Sequence, residues 1–123
     1  MLHGLVTDSI LGAFYRVYNA LGYGFLEKVY ENALVLELTE LGFQARQQHG
    51  IHVLYKGVVV GEYFADITVN NVVIIELKSA ETLHEEHVAQ LTNYLKATEK
   101  EVGLLLNFGR KPEFKRLVFS HRQ

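Results

Sequence analysis

The chain reads as a single α/β domain, a mixed β-sheet flanked by helices in the order α-α-β-β-β-α-β-β. Three observations predict this. Apolar residues recur at helical spacing through about residue 41, three strand-like runs follow up to Lys78, and a helical pattern then returns before two last strands. No repeat, low-complexity stretch or Pro/Ser-rich linker interrupts the 123 residues, so one domain over 1–123 is expected.

Thr7 or Asp8 is the expected cap of the first helix, and Ile10, Leu11, Phe14, Val17, Tyr18 and Leu21 form its stripe. Gly22 and Gly24 break it. A second helix is expected from about Leu26 to Leu41, ending at Gly42, with Tyr30, Leu34, Leu38 and Leu41 on one stripe. Ile51–Tyr55 reads as a strand, Lys56-Gly57 as a turn, and Val58–Val69 as a longer strand bent or bulged at Gly61. Asn70-Asn71 signals a hairpin turn. Val72–Lys78 is almost wholly apolar and β-branched at first, as a central strand covered on both faces should be. Thr82 and Glu85 fit a capping box for a helix that runs to about Lys96, with Val88, Leu91 and Leu95 inward. Val102–Asn107 and Arg116–Ser120 complete the set, separated by a turn holding Pro112, the single proline.

Hydrophobic residues make up 49% and charged residues 21%, which excludes wholesale disorder. There is no cysteine, which excludes a disulfide scaffold, thiol catalysis and thiolate metal sites. No apolar run approaches the ~18 residues that span a bilayer, and the first residues lack the pattern of a signal peptide. A cytoplasmic protein with no membrane partner is the expectation. The net charge of −2 is unevenly spread. Residues 1–95 hold 5 Lys/Arg and 11 Asp/Glu, whereas 96–123 hold 7 and 3. A basic tail suits phosphates, but on composition alone a solvated surface is the simpler reading.

The central strand carries the chemistry. Glu76 and Lys78 lie two apart and therefore on one face. Burying either is costly unless it is paired or bound to a metal. A simple Glu–Lys pair at the end of the sheet is the alternative, and the less favoured one even for these two residues alone. Asp66, on the preceding strand, returns near Glu76 through the hairpin. Two carboxylates plus water suit Mg²⁺, and a neighbouring lysine can hold or help deprotonate a water. Asp, then Glu-x-Lys, is a minimum set for metal-assisted phosphodiester hydrolysis. The two acids share a face only if the loop between their strands has an odd length or a bulge intervenes. Such an irregularity is therefore expected.

Asp66…Glu76-Leu77-Lys78 on a hairpin, followed by a helix carrying Gln90 and Tyr94 four apart, resembles the core of the PD-(D/E)xK nucleases. Upstream, Gly24-Phe25-Leu26-Glu27-Lys28-Val29-Tyr30 is similar to the Gly-x-x-Glu-x-x-Tyr signature of the small prokaryotic GxxExxY proteins, usually placed in that superfamily. The resemblance covers about residues 5–120 and departs from the pattern in having Ala65 where a proline commonly precedes the Asp. It implies a restriction-endonuclease-like fold and Mg²⁺-dependent cleavage of DNA, with Mn²⁺ as a substitute ion and RNA as the other substrate. Asp66 and Glu76 would bind metal, with Glu27 completing the shell. Glu27 is equally explained by the helix dipole. Lys78 would position the water. Gln90 would orient a site group, and Tyr94 would pack or touch nucleic acid. Lys100, Arg110, Lys111, Lys115 and Arg116 would contact the backbone. Two other readings stay open: a nucleic-acid-binding module that cleaves nothing, and a homodimeric interaction protein packing through Tyr15, Tyr18 or Phe119. His84 and His87 are three apart and lack a third partner, which argues against zinc.

Overall fold

In the computed structural model, which describes residues 1–122, all but the last residue of β3 (Val73–Lys78) are buried. The strand is third of five in a sheet of order β1-β2-β3-β4-β5. β1 (Ala45–Tyr55), β2 (Val58–Val69) and β3 form an antiparallel meander. β4 (Val102–Phe108) runs parallel to β3, and β5 (Pro112–Val118) antiparallel to β4. The parallel pair is bridged by α3 (Glu85–Lys96), as a crossover connection requires.

Alternation along the strands divides the core into two layers. Val73, Ile75 and Leu77 join Ile67, Val69, Leu104 and Leu106 under α1 (Gly4–Leu21) and α2 (Glu27–Glu40). Ile74 and Leu105 face the other way, with Leu91, Tyr94 and Leu95 of α3. Phe108 stacks on Tyr30 (centroids 4.2 Å apart) and meets Phe14 edge-on (4.9 Å), which ties both N-terminal helices to β4.

The predicted α/β order is the observed one, with local differences. α1 starts at Gly4, before Thr7, whose hydroxyl donates to the Gly4 carbonyl inside the first turn. Leu34 and Leu38 of α2 are buried, but Leu41 lies beyond the helix and is exposed. β1 begins six residues earlier than expected, at Ala45. β5 begins at Pro112, where an edge strand tolerates a missing N–H, and ends before Phe119. α3 is capped at His84, not Thr82; the His84 N–H donates to His87 Nδ1 at 3.1 Å. This local role accounts for the His84/His87 pair.

Lys56-Gly57 forms the turn with both residues at positive φ (52° and 77°). Val53 pairs with Gly61 but Leu54 with Val59, which leaves Val60 as the bulged residue. Val69 pairs with Val73, so the β2–β3 loop is Asn70-Asn71-Val72, three residues long. Both asparagines sit in the left-handed region (φ 50° and 57°) that this residue tolerates. Among the described residues, no helix is long and apolar enough to cross a membrane.

Candidate active site

Only three residue pairs join β2 to β3: Val69–Val73, Thr68–Ile74 and Ile67–Ile75. The next in register would be Asp66 and Glu76. There the strands part, and side chains replace the backbone ladder. The Asp66 N–H donates to Glu76 Oε2 at 2.7 Å, and the Leu77 N–H donates to Asp66 Oδ2 at 2.8 Å. Each carboxylate thus accepts an N–H from the opposite strand, which satisfies donors that the splayed ladder would orphan. The odd loop length is what lets the two acids meet.

β2 also rolls over at this point. Ala65 packs in the α3 layer and Ile67 in the α1/α2 layer, although two residues apart. Across on β1, Gln48 occupies the matching position with φ 51°, a left-handed residue within a strand. The twist brings consecutive side chains to one partner. Gln47 Nε2 donates to Glu31 Oε2 at 2.7 Å, and Gln48 Nε2 to Glu31 Oε1 at 3.0 Å. Gln48 Nε2 is also 3.5 Å from Asp66 Oδ1. Glu31 is buried on α2 and paired with Lys28 at 2.9 Å. One turn earlier on α2, Glu27 Oε2 accepts the Ser79 N–H at 3.2 Å, just beyond Lys78.

Lys78 does not pair with Glu76. Its ammonium donates instead to Gln90 Oε1 at 3.1 Å, and Gln90 Nε2 donates to the Tyr94 hydroxyl at 3.0 Å. The simple Glu76–Lys78 ion pair is therefore not what the structure contains. Burial, reinforced by the charge of Asp66 and opposed by Lys78, pushes the Glu76 carboxyl up to about 8. Burial also raises Asp66; Glu31 and Glu27 add to it, and the Leu77 N–H opposes it. Among the described residues, the one cation fixed on these acids is Lys28, on Glu31.

Tyr94 is almost wholly buried, its ring 5.7 Å from that of Tyr63 and its hydroxyl taken by Gln90. Its ring packs in the α3 layer, with an edge left on the groove that Val53, Leu54 and Tyr63 also line. Arg110 and Lys111 lie on the β4–β5 loop at the site end of the sheet, with Arg110 over the Tyr23 ring (5.9 Å). Lys115 faces Leu105, which faces Glu76, so all three form one row across the sheet. Lys100 and Arg116 do not join this group. Lys100 precedes β4 at the opposite end, roughly 20 Å away at ~3.3 Å per residue. Arg116 is half-buried and its guanidinium donates to the Leu2 carbonyl.

The residues that sequence reasoning missed hold the site in shape. Asn107, buried beside Lys78 in the ladder, accepts the Ala80 N–H and donates to the Ala80 carbonyl, both at 2.9 Å. Gly109 lies so close that a Cβ there would fall 2.3 Å from the Ala80 carbonyl oxygen. The Tyr18 hydroxyl is held by the carbonyls of Gly109 (2.7 Å) and Arg110 (2.6 Å), so Tyr18 is not free for a partner. Phe119 likewise packs on the α3 layer. Glu31 did leave a signal, being one turn after Glu27 on the same side of α2. Asn107, Gln47 and Gln48 left none.

The profile of the PD-(D/E)XK nuclease superfamily matches residues 5–117. The chain belongs to this superfamily. Its five-stranded sheet flanked by helices is the restriction-endonuclease-like fold. Among solved structures it is similar to SSO0001, with a TM-score of 0.57 at 17% identity over 77% of this chain and 50% of that one. The chain thus spans half the length of that protein. It is also similar to Hjc of Archaeoglobus fulgidus, a Holliday junction resolvase, with a TM-score of 0.44 at 21% identity over 72% of each chain. No curated protein matches the sequence.

Proposed function

We propose that the chain is a Mg²⁺-dependent nuclease that hydrolyses DNA phosphodiester bonds, of the GxxExxY type within its superfamily. One observation carries the reading. The in-register acids, buried Glu76 and half-buried Asp66, carry no cation among the described residues, while the ammonium of the adjacent Lys78 is bonded to Gln90. A purely structural acid–base pair would close on itself.

The donor set fits a magnesium ion. Among the described residues, no three His, Asp or Glu side chains form a ready metal cage. Mg²⁺ needs none, because it keeps several waters and is commonly held by one or two carboxylates. Asp66 and Glu76 would hold it, with Glu27, whose charge acts on both acids, completing the shell. The bound ion supplies Lewis-acid charge to the phosphate. Lys78, aimed by Gln90, holds the attacking water and faces the negative charge that develops on the phosphate. Arg110, Lys111 and Lys115 provide backbone contacts beside the cluster.

The test is nicking of plasmid DNA in Mg²⁺, Mn²⁺ or EDTA. Lys78→Met folds and keeps its metal-induced rise in melting temperature, while its single-turnover rate falls by about 10²–10⁴-fold, the range for losing a positioned proton-transfer group. Asp66→Ala loses both cleavage and the metal response. A stable Lys78→Met that cleaves at the wild-type rate removes Lys78 from the mechanism. DNA binding with no cleavage under any metal leaves a binding module on the same fold.

A further inference from the structure

Residues 22–26 join α1 to α2, and three of them hold large apolar side chains in solvent. Tyr23 is 57% exposed, Phe25 48% and Leu26 80%. The backbone beneath them is braced from the core. The hydroxyl of buried Tyr30 donates to the Gly22 carbonyl at 2.6 Å and accepts the Phe25 N–H at 3.2 Å. The Gly22 N–H donates to the Tyr18 carbonyl at 2.8 Å. Facing this loop, the β4–β5 loop is pinned in the same way by the Tyr18 hydroxyl. A cleft of about 310 Å³ lies between the two braced loops, with Phe108, Ser79 and Ala80 completing its lining. Its walls are therefore formed before anything enters.

We propose that this cleft takes an unpaired base of the DNA strand, from the nucleotide beside the phosphate under attack, with Tyr23 and Phe25 as its stacking faces. The inference rests on the nuclease reading and names its substrate class: DNA with unpaired nucleotides, such as a single strand or a flap, in preference to continuous duplex. Position supports it first. Leu26 precedes Glu27 and Ser79 follows Lys78, and consecutive Cα atoms are ~3.8 Å apart, so the cleft begins one residue from the acidic site.

Size and charge select the occupant. The volume is at the low end of the roughly 300–1,000 Å³ of small-ligand sites, room for one flat ring system but not for a base pair and its two backbones. The Arg110 guanidinium lies 5.9 Å from the centre of the Tyr23 ring, and Lys111 beside it is exposed. Cations for the backbone and aromatic faces for the bases are what a single strand uses. Glu81, the one acid among the lining residues, repels a phosphate but can accept a hydrogen bond from a base amino group. The base therefore enters and the phosphate stays at the basic rim. A duplex reaches the cleft only by unstacking a base, which an unpaired nucleotide does at least cost.

Fluorescence anisotropy of a short labelled DNA, as a single strand and annealed to its complement, tests this with the full chain in EDTA. Wild type is expected to bind the single strand more tightly than the duplex. Tyr23→Leu combined with Phe25→Leu keeps the apolar bulk and removes both rings. It should lose roughly 5–150-fold in single-strand affinity, the range for one base–aromatic stack, with duplex affinity and far-ultraviolet spectrum unchanged. Tyr23→Phe, which keeps the ring, retains wild-type affinity. Arg110→Ala weakens both forms and lowers the salt slope by about one. Equal wild-type affinity for the two forms, a double Leu variant that still prefers the single strand, or no binding of either DNA overturns the inference. Cleavage is scored separately by plasmid nicking. A chain that nicks plasmid without this preference keeps the nuclease reading and loses the base cleft. A chain that prefers single strands through its two rings but cleaves nothing keeps the cleft and loses the nuclease.

Discussion

The two ends of β2 are built from similar residues and have opposite fates. Ile67-Thr68-Val69 is buried and is paired to strands on both sides. Val58-Val59-Val60 is exposed; Val58 and Val59 pair with β1, and Val60 is the bulged residue. Between them, at Asp66, the ladder to β3 stops and the acids begin. Burial, not residue type, decides what a β-branched side chain contributes. The strand anchors the core at one end, presents a surface at the other, and opens into the site where the two regimes meet.

Breaking the buried end has the largest effect. Ile67→Ala removes a fully enclosed side chain and is expected to cost about 2–5 kcal/mol, read as a shift in urea midpoint at constant slope.

The junction should show itself through pH. The Glu76 carboxyl rises from 4.5 to about 8 on folding, so between those values the folded state binds the extra proton. This contribution to stability is fully present below pH 4.5 and is lost as pH rises through 8. The metal-free protein is therefore expected to melt lower at pH 8 than at pH 5. Glu76→Gln, which keeps an acceptor for the Asp66 N–H, flattens that slope. A slope that persists in Glu76→Gln assigns it to other groups.

Asp66→Asn keeps an acceptor for the Leu77 N–H while removing one of two facing charges. Its metal-free melting temperature at pH 8 is expected to rise by a few degrees, about 1 kcal/mol for a chain of this size. The further rise that millimolar Mg²⁺ produces in wild type is lost. An unchanged metal response would take Asp66 out of the metal site.

The exposed end gives the smallest effect. Val59→Ala should change stability by no more than about 0.5 kcal/mol, read as a shift in urea midpoint. A loss as large as that of Ile67→Ala would erase the contrast between the two ends.

The sequence made the elements legible where the apolar pattern had one period. β3 shows a continuous β-branched run, and α3 a clean helical stripe. The start of β1 was hidden because Arg46-Gln47-Gln48-His49 shows no alternation, and Gln48 breaks the strand's conformation. The meeting of Asp66 and Glu76 followed from parity: acids ten apart on a hairpin share a face only across an odd loop. What supports them was not legible. Asn107 looks like the polar end of an apolar strand until its two bonds to Ala80 are seen. Tyr94 reads as an exposed partner of Gln90 by spacing, yet it is buried because Tyr63 reaches it from another strand. Arg116 reads as a phosphate contact by charge, but the fold places it against the N-terminal segment. Pairings between distant segments set all three, and local pattern carries no information on those.

The bond between Tyr18 and the β4–β5 loop spans 91 positions of the chain. Asn107 and Gly109 hold that same loop against Ala80, so the wall beyond Lys78 is assembled from three remote stretches. Closing so long a loop is entropically expensive, and contacts of such separation form late. During synthesis the helical pair and the β1–β2–β3 meander can therefore be in place before this wall exists. The same order holds in reverse on opening. Amides at Ser79, Ala80 and Gly109 should exchange with solvent before those of Ile75 and Leu104, and the acids would meet bulk water while the core beneath them is still intact.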